Sequence, residues 1–112
     1  MAATPEWKVK SKIKALCKKY DAYYAMPVMA GMASNGTPDF LICCNGYFVA
    51  VEAKAGRGRA TDLQRTRLVE IANAGGVALV INESRLDMLD ALLAKYAEKP
   101  NVRAQTYEVP NL

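Results

Sequence analysis

The spacing of apolar residues divides the chain into segments of helical and extended period. The first segment opens with Thr4, a capping-type residue, and carries Pro5 at the first helical position. Its apolar residues recur at intervals of three and four, which predicts an amphipathic helix with its lysines on the outside. These residues are Val9, Ile13, Leu16, Cys17 and Tyr20.

Extended segments follow this helix. The stretch from Tyr23 to Ala30 is rich in strand formers but contains Pro27. Because proline cannot donate to a sheet ladder, the pattern predicts a strand near an edge or a strand with a bulge. The next residues, 31–37, include two glycines, a serine and an asparagine, and we interpret them as a loop.

Two apolar runs, 39–44 and 47–53, flank the dipeptide Asn45-Gly46. Both turn residues tolerate positive φ, so the dipeptide strongly indicates a β-hairpin. A tight turn at this place pairs the residues on either side of it and fixes the register of the two strands. In that register, Asp39 lies opposite Glu52 or its neighbour.

The second half of the chain predicts a helix, a strand and a further helix. The helix begins near Thr61, stops at Gly75, and is followed by a short buried strand from Val77 to Ile81. Ser84 caps the last helix, which Pro100 ends. The apolar residues of the two helices are Leu63, Leu68, Ile71 and Ala72 in the first and Leu86, Leu89, Leu92, Leu93 and Tyr96 in the second.

The predicted order of elements is α-β-β-β-α-β-α. A helix between the third and fourth strands is the usual crossover of a parallel pair, so the expected fold class is α/β, with a mixed β-sheet flanked by helices. The tail, 102–109, alternates weakly, which leaves an added strand and a disordered end as alternatives. With 112 residues, 52% of them hydrophobic, the chain predicts one domain over 1–112.

Composition narrows the class of function. No stretch approaches the roughly 18 apolar residues of a membrane span, and the N-terminus lacks the apolar block of a secretory signal, so we expect a cytoplasmic protein without a membrane partner. Cys17, Cys43 and Cys44 have no C-x-x-C spacing and are expected to be buried free thiols. The sequence contains no histidine, which excludes Ser-His and Cys-His nucleophile pairs and the common zinc sites.

The chain carries a formal net charge of +4, and much of the basic surplus lies in 8–19 and 54–67. A cluster of positive charges favours the binding of a polyanion such as a nucleic acid, because the phosphates that it neutralises release their counterions. For the first cluster, an ordinary solvated helix surface is the alternative interpretation.

Two acids and a lysine are predicted to meet at one end of the hairpin. Side chains alternate along a strand, so Glu52 and Lys54 share a face, and the register adds Asp39. Charged groups in an apolar strand are costly unless they are paired, ligated or at the end of the sheet. Two carboxylates this close repel unless a cation or a shared proton intervenes. Magnesium, which favours one or two carboxylates with water and phosphate oxygens, meets this need.

A metal ion and a lysine together suit phosphodiester hydrolysis. The ion polarises the phosphate and lowers the pKa of a bound water, while the ammonium of Lys54 stabilises charge or orients the nucleophile. Arg57 and Arg59 follow in a basic loop and are expected to contact flanking DNA phosphates. The alternative for these two arginines is ordinary loop charge.

At these residues the sequence resembles the PD-(D/E)xK nuclease superfamily and, within it, the stand-alone phage type of the virus-type replication-repair nuclease family, VRR-NUC. The motifs are G-T-P-D at 36–39, E-A-K at 52–54 and T-x-x-Q at 61–64, with Asp39 and Glu52 thirteen positions apart. An acid in the first helix, matched by Glu6, belongs to the same pattern. The resemblance covers nearly the whole chain.

The resemblance implies a restriction-endonuclease-like core that uses Mg²⁺, for which Mn²⁺ substitutes. Asp39 and Glu52 would be metal ligands, with the Ala53 carbonyl as a possible backbone ligand and Glu6 as an outer carboxylate. Lys54 would be the catalytic lysine, and Gln64 would support the site from the helix. Proteins of this type resemble Holliday-junction resolvases, which act as homodimers on branched DNA, here in the host cytoplasm if the protein is phage-encoded.

Alternatives remain for several residues and for the function. Gln64 also fits a capping box with Thr61, and an acid such as Glu6 is favoured in any first helical turn by the helix dipole. Three functions stay open: a structure-selective DNA endonuclease, an exonuclease or nicking nuclease of phage replication or packaging, and a non-catalytic DNA-binding module. Candidates for a dimer surface are Met26, Val28, Met29 and Met32.

Overall fold

The computed structural model describes residues 5–28 and 35–100. Its elements are α1 (Pro5–Lys19), β1 (Tyr23–Ala25), β2 (Phe40–Cys44), β3 (Tyr47–Ala53), α2 (Asp62–Asn73), β4 (Val77–Ile81), a 3₁₀ turn (Glu83–Arg85) and α3 (Leu86–Glu98). The strands form one sheet in the order β1-β2-β3-β4, antiparallel except for the parallel pair β3 and β4. The predicted mixed α/β fold and its order of elements are therefore confirmed.

The hairpin between β2 and β3 has the predicted turn and register. Asn45 and Gly46 adopt φ values of 52° and 88°, the positive values that a type I′ turn requires at both positions. Cys44 pairs with Tyr47, and the ladder continues in the same register to Phe40 opposite Val51. This register brings the residues before β2 next to the C-terminal end of β3.

Helices cover the two faces of the sheet. The helices α1 and α3 pack on one face, where alternate residues of β3 join a core of fully buried side chains. The helix α2 packs over β3 and β4 on the other face, which carries Phe48, Ala50 and Glu52. The buried core consists of Val9, Ile13, Cys17, Phe40, Ile42, Cys44, Val49, Val51, Ala53, Ile81, Leu89 and Leu93.

Two sequence-based predictions of local structure differ from the structure. The first strand is an edge strand, as predicted, but it ends at Ala25, because Pro27 has no N–H with which to continue the ladder. The cap of the last helical segment is Asn82, whose side chain accepts a 3.0 Å hydrogen bond from the backbone N–H of Ser84. Among the apolar residues of α2, Leu68 is buried, whereas Leu63 is 41% exposed and Ala72 is exposed.

The cysteines only partly follow the expectation of buried thiols. All three are free, and Cys17 and Cys44 are buried, but Cys43 is exposed. Alternation along β2 turns Cys43 to the face opposite α1 and α3. There it pairs in register with Tyr23 and Phe48, which are also exposed.

Some of the sequence-based predictions concern residues that the structure does not describe. The cap at Thr4, the residues 29–34 and the tail 102–109 lie outside the described residues. Within the described part of the chain, no helix is both long enough and apolar enough to span a membrane.

Candidate active site

The site lies at the ends of the two central strands of the sheet, where β2 begins and β3 ends. Asp39 directly precedes β2, Glu52 is the last residue but one of β3, and Lys54 directly follows that strand. The carboxylate of Asp39 accepts a 2.9 Å hydrogen bond from the backbone N–H of Ala53, the neighbour of Glu52. The predicted meeting of these residues is thus observed, and it follows from the register of the hairpin.

Glu52 is the only buried charged residue of the described part of the chain, with 2% of its surface exposed. Its Oε2 accepts a hydrogen bond of 3.0 Å from the Gln64 amide and lies 3.4 Å from Lys54 Nζ. Its Oε1 is buried without a hydrogen-bond partner. A buried carboxylate oxygen without a partner is destabilising, and such atoms mark sites at which a ligand or ion is expected.

Burial raises the pKa of Glu52 from 4.5 to about 7. The second cause is the negative charge of Asp39, and a hydrogen bond of the protonated acid to Asp39 raises the pKa further. The positive charge of Lys54 and its hydrogen bond to Glu52 lower the pKa. A perturbed acid next to a second carboxylate and an amine at the end of a strand is typical of a functional site.

Gln64 makes both the capping box with Thr61 and a contact with Glu52. Its amide oxygen accepts a 2.9 Å hydrogen bond from the backbone N–H of Thr61, and Thr61 caps the backbone N–H of Gln64 in return. Its amide nitrogen donates to Glu52 at 3.0 Å. Because the capping box fixes the amide orientation, the nitrogen is held toward the carboxylate.

Lys10 is a site residue that the sequence patterns did not indicate. Its Nζ lies 3.5 Å from Asp39 Oδ1 and 3.5 Å from Glu6 Oε2. The second contact is an ordinary pair one helical turn apart, and its spacing is visible in the sequence. The first depends on how α1 packs against the start of β2, which no local pattern reveals.

In the described part of the chain, Glu6 is connected to the site through the ion pair with Lys10. Among the described residues, no group of three or more acidic, cysteine or histidine side chains is arranged to hold a metal ion. Asp39 and Glu52 alone provide two carboxylates, one with an oxygen that has no partner. This donor set fits magnesium, which commonly binds one or two carboxylates and fills its other positions with water and phosphate oxygens. The roles of Glu6 and of the Ala53 carbonyl as ligands stay predictions.

Gly36 places the segment before Asp39 directly on α2. Its φ is +83°, and a Cβ at this position would come within 2.7 Å of the Leu63 carbonyl oxygen. Only glycine permits both this conformation and this close approach. Sequence patterns could not indicate this contact, because it joins segments far apart in the chain.

The basic loop after Lys54 is tied to the turn before α3. The backbone N–H of Gly56 donates to Glu83 at 2.9 Å, and the side-chain amide of Asn82 donates to the Gly56 carbonyl at 3.2 Å. Arg57 and Arg59 are exposed on this loop. The loop therefore presents both arginines to solvent beside the site, where the prediction of DNA contact stays open.

The fold and site together define a mixed α/β protein whose four-stranded sheet, flanked by helices, is compatible with a restriction-endonuclease-like fold. Comparisons with family models, with curated proteins and with solved structures find no match for this chain. The likeness to the VRR-NUC nucleases therefore stands on the motifs at Asp39, at Glu52 to Lys54 and at Gln64.

We expect Lys10→Met to strengthen the binding of Mn²⁺ by roughly two- to fivefold. The ammonium of Lys10 neutralises Asp39 in the metal-free protein, so removing it takes away a cation that competes with the metal. Isothermal titration calorimetry without DNA measures this affinity directly. The matched control is Lys14→Met, which removes an exposed lysine one turn further along α1. Weaker binding by Lys10→Met than by the control would show that Lys10 instead positions Asp39 for the metal.

Proposed function

We propose that the protein is a magnesium-dependent, structure-selective DNA endonuclease of the VRR-NUC kind, similar to Holliday-junction resolvases. One observation carries the proposal: the buried carboxylate of Glu52, whose Oε1 has no hydrogen-bond partner, lies beside Asp39 and Lys54 at the ends of the two central strands, β2 and β3. A protein that only bound DNA would gain nothing from a buried acid that destabilises its fold.

The roles of the residues follow from their contacts. Asp39 and Glu52 would hold the metal ion, which when bound supplies a Lewis acid and an activated water. Lys54, only 15% exposed in its side chain, is held against Glu52 at 3.4 Å and would stabilise charge on the phosphate or orient the nucleophile. Gln64 fixes the Glu52 carboxylate from α2.

Arg57 and Arg59 would carry the electrostatic part of DNA binding, since exposed cations next to the site attract the phosphate backbone. We also propose a homodimer, because symmetric cleavage of a four-way junction needs two active sites. Of the candidate surface residues, Val28 is 81% exposed, whereas Met26 packs against the core. Met29 and Met32 lie outside the described residues.

The decisive test is cleavage of a labelled four-way junction and of its linear duplex arms, with magnesium or with EDTA. We expect metal-dependent paired cuts in the junction by the wild type, and a rate lower by roughly 10²-fold or more for Asp39→Asn, which weakens metal binding without changing the shape of the side chain.

Other results of this experiment point to the other functions. Cuts that begin at DNA ends, or single cuts in nicked or flapped substrates, would identify an exonuclease or a nicking enzyme. Binding of the junction without cutting, under every metal condition, would reject the nuclease in favour of a non-catalytic DNA-binding module.

A further inference from the structure

A basic cavity lies beside the candidate active site. It has a volume of about 250 Å³, and three of the residues that line it are Arg59, Arg65 and Arg85. These arginines come from separate parts of the fold: the loop after β3, the first turns of α2 and the 3₁₀ turn before α3. None of the described residues that line the cavity is acidic.

The cavity adjoins the site because β3 and β4 run parallel and end together. Ala53 is paired with Ile81, and Lys54, which follows Ala53, donates its backbone N–H to the Ile81 carbonyl at 2.9 Å. Neighbouring strands lie about 4.8 Å apart, so the residues that follow β4 begin one strand spacing from the end of β3. Arg65 also follows Gln64, which contacts Glu52.

The charges that meet in the cavity are incompletely neutralised. Arg65 is paired with Asp62, one helical turn before it. The ion pairs of the described residues include neither Arg59 nor Arg85. Convergence of like charges is unfavourable, and it is relieved when an anion binds between them.

We infer that this cavity is a phosphate subsite, which holds a nucleic-acid phosphate next to the one that is cleaved. The inference deepens the proposed function and rests on it. Arginine binds phosphate through two parallel hydrogen bonds, which gives both affinity and a fixed orientation. A water molecule takes about 30 Å³ of liquid volume, so the cavity has room for a phosphate group with bridging waters. Such a subsite would set the path of the DNA strand past the C-terminal ends of β3 and β4.

Binding without cleavage tests the subsite. In EDTA, we expect the double variant Arg59→Gln/Arg85→Gln to bind a non-phosphorylated oligonucleotide about tenfold more weakly than the wild type at low salt. The slope of log affinity against log salt should become shallower by roughly 0.7 to 0.9 for each phosphate that the variant no longer binds. The matched control is Lys95→Gln/Lys99→Gln, which removes the same charge from exposed positions at the C-terminal end of α3, outside both basic clusters of the sequence.

Two further arms identify the source of the phosphate. If the cavity holds an internal phosphodiester, adding a 5′-phosphate to the oligonucleotide leaves the difference in binding affinity between the arginine variant and the lysine control unchanged. If it holds a terminal phosphate, only the 5′-phosphorylated oligonucleotide shows the difference. Inorganic phosphate at constant ionic strength should raise the thermal midpoint of the wild type and of the lysine control more than that of the arginine variant.

Equal affinities and equal salt slopes for the arginine and lysine variants, with both oligonucleotides, would overturn the subsite. That result is distinguishable from failure of the proposed function, because all binding measurements exclude the metal. A protein that cuts no DNA but binds it more weakly in the arginine variant keeps the phosphate subsite and loses the nuclease activity.

Discussion

Lys54→Met is expected to slow single-turnover cleavage by roughly 10²- to 10³-fold with little change in DNA affinity. The Lys54 ammonium is held 3.4 Å from Glu52 Oε2 in a side chain that is 15% exposed, so it is positioned within the site rather than on the outer surface. Its loss removes the cation that directly contacts the buried acid. The measurement uses excess enzyme, saturating junction DNA and magnesium.

The pH dependence of the cleavage rate separates the direct contribution of the Lys54 ammonium from its indirect effect through the pKa of Glu52. Lys54 lowers the pKa of Glu52 in the metal-free protein. In the variant, Glu52 therefore stays protonated, and unable to bind the metal, up to a higher pH. A rate measured from about pH 7 to pH 9 resolves the two effects, because only the loss that persists at high pH belongs to Lys54. Lys54→Arg retains the positive charge but replaces the compact ammonium with a planar guanidinium. We expect its cleavage rate to lie between those of the wild type and Lys54→Met. Weaker DNA binding with an unchanged rate would make Lys54 a phosphate anchor instead.

The hairpin explains how much of the site was predictable from sequence. Asn45-Gly46 fixes its own turn, the turn fixes the register, and the register brings Asp39 to Glu52. Each step is local, so a pattern of a few residues determines it. The capping box that orients Gln64 is local in the same way.

The features that the sequence did not reveal are contacts between distant segments. Lys10 meets Asp39 because of the way α1 packs, and the arginine cavity combines three elements. The error at Ser84 has a different cause: Asn82 and Ser84 are both good caps two positions apart, and local pattern does not choose between them.

The metal-free protein is expected to lose stability as the pH rises from about 4.5 to about 7. Glu52 in the folded state, with its pKa raised to about 7, binds a proton in this window that the unfolded chain has already released. Stability therefore falls as pH rises and levels off above the folded pKa. A shift of this size corresponds to roughly 3 kcal/mol of unfolding free energy. Urea denaturation in EDTA at several values between about pH 5 and pH 8 measures it.

Glu52→Gln should remove this pH dependence, because the amide imitates the protonated acid. The variant is then more stable than the wild type at about pH 8, although it lacks the acid that the proposed chemistry needs. Glu98→Gln, a change at an exposed position on α3, provides the control and should keep the wild-type profile. The acids whose pKa is lowered, Glu83 and Asp90, do not interfere above about pH 5.5, because their contributions to stability are complete about one pH unit above the unfolded pKa. A flat wild-type profile would show that Glu52 is not destabilised by its burial.

Magnesium connects this stability profile to the proposed site. A ligand that binds only the folded state adds about 2.7 kcal/mol when its concentration is a hundred times its dissociation constant. We therefore expect magnesium to restore most of the stability that the wild type loses by about pH 8, because it would occupy the place between Asp39 and Glu52. Glu52→Gln should gain little from the same addition. An equal gain by both proteins would place the ion elsewhere, and it would leave the buried carboxylate without the partner that the proposed function assigns to it.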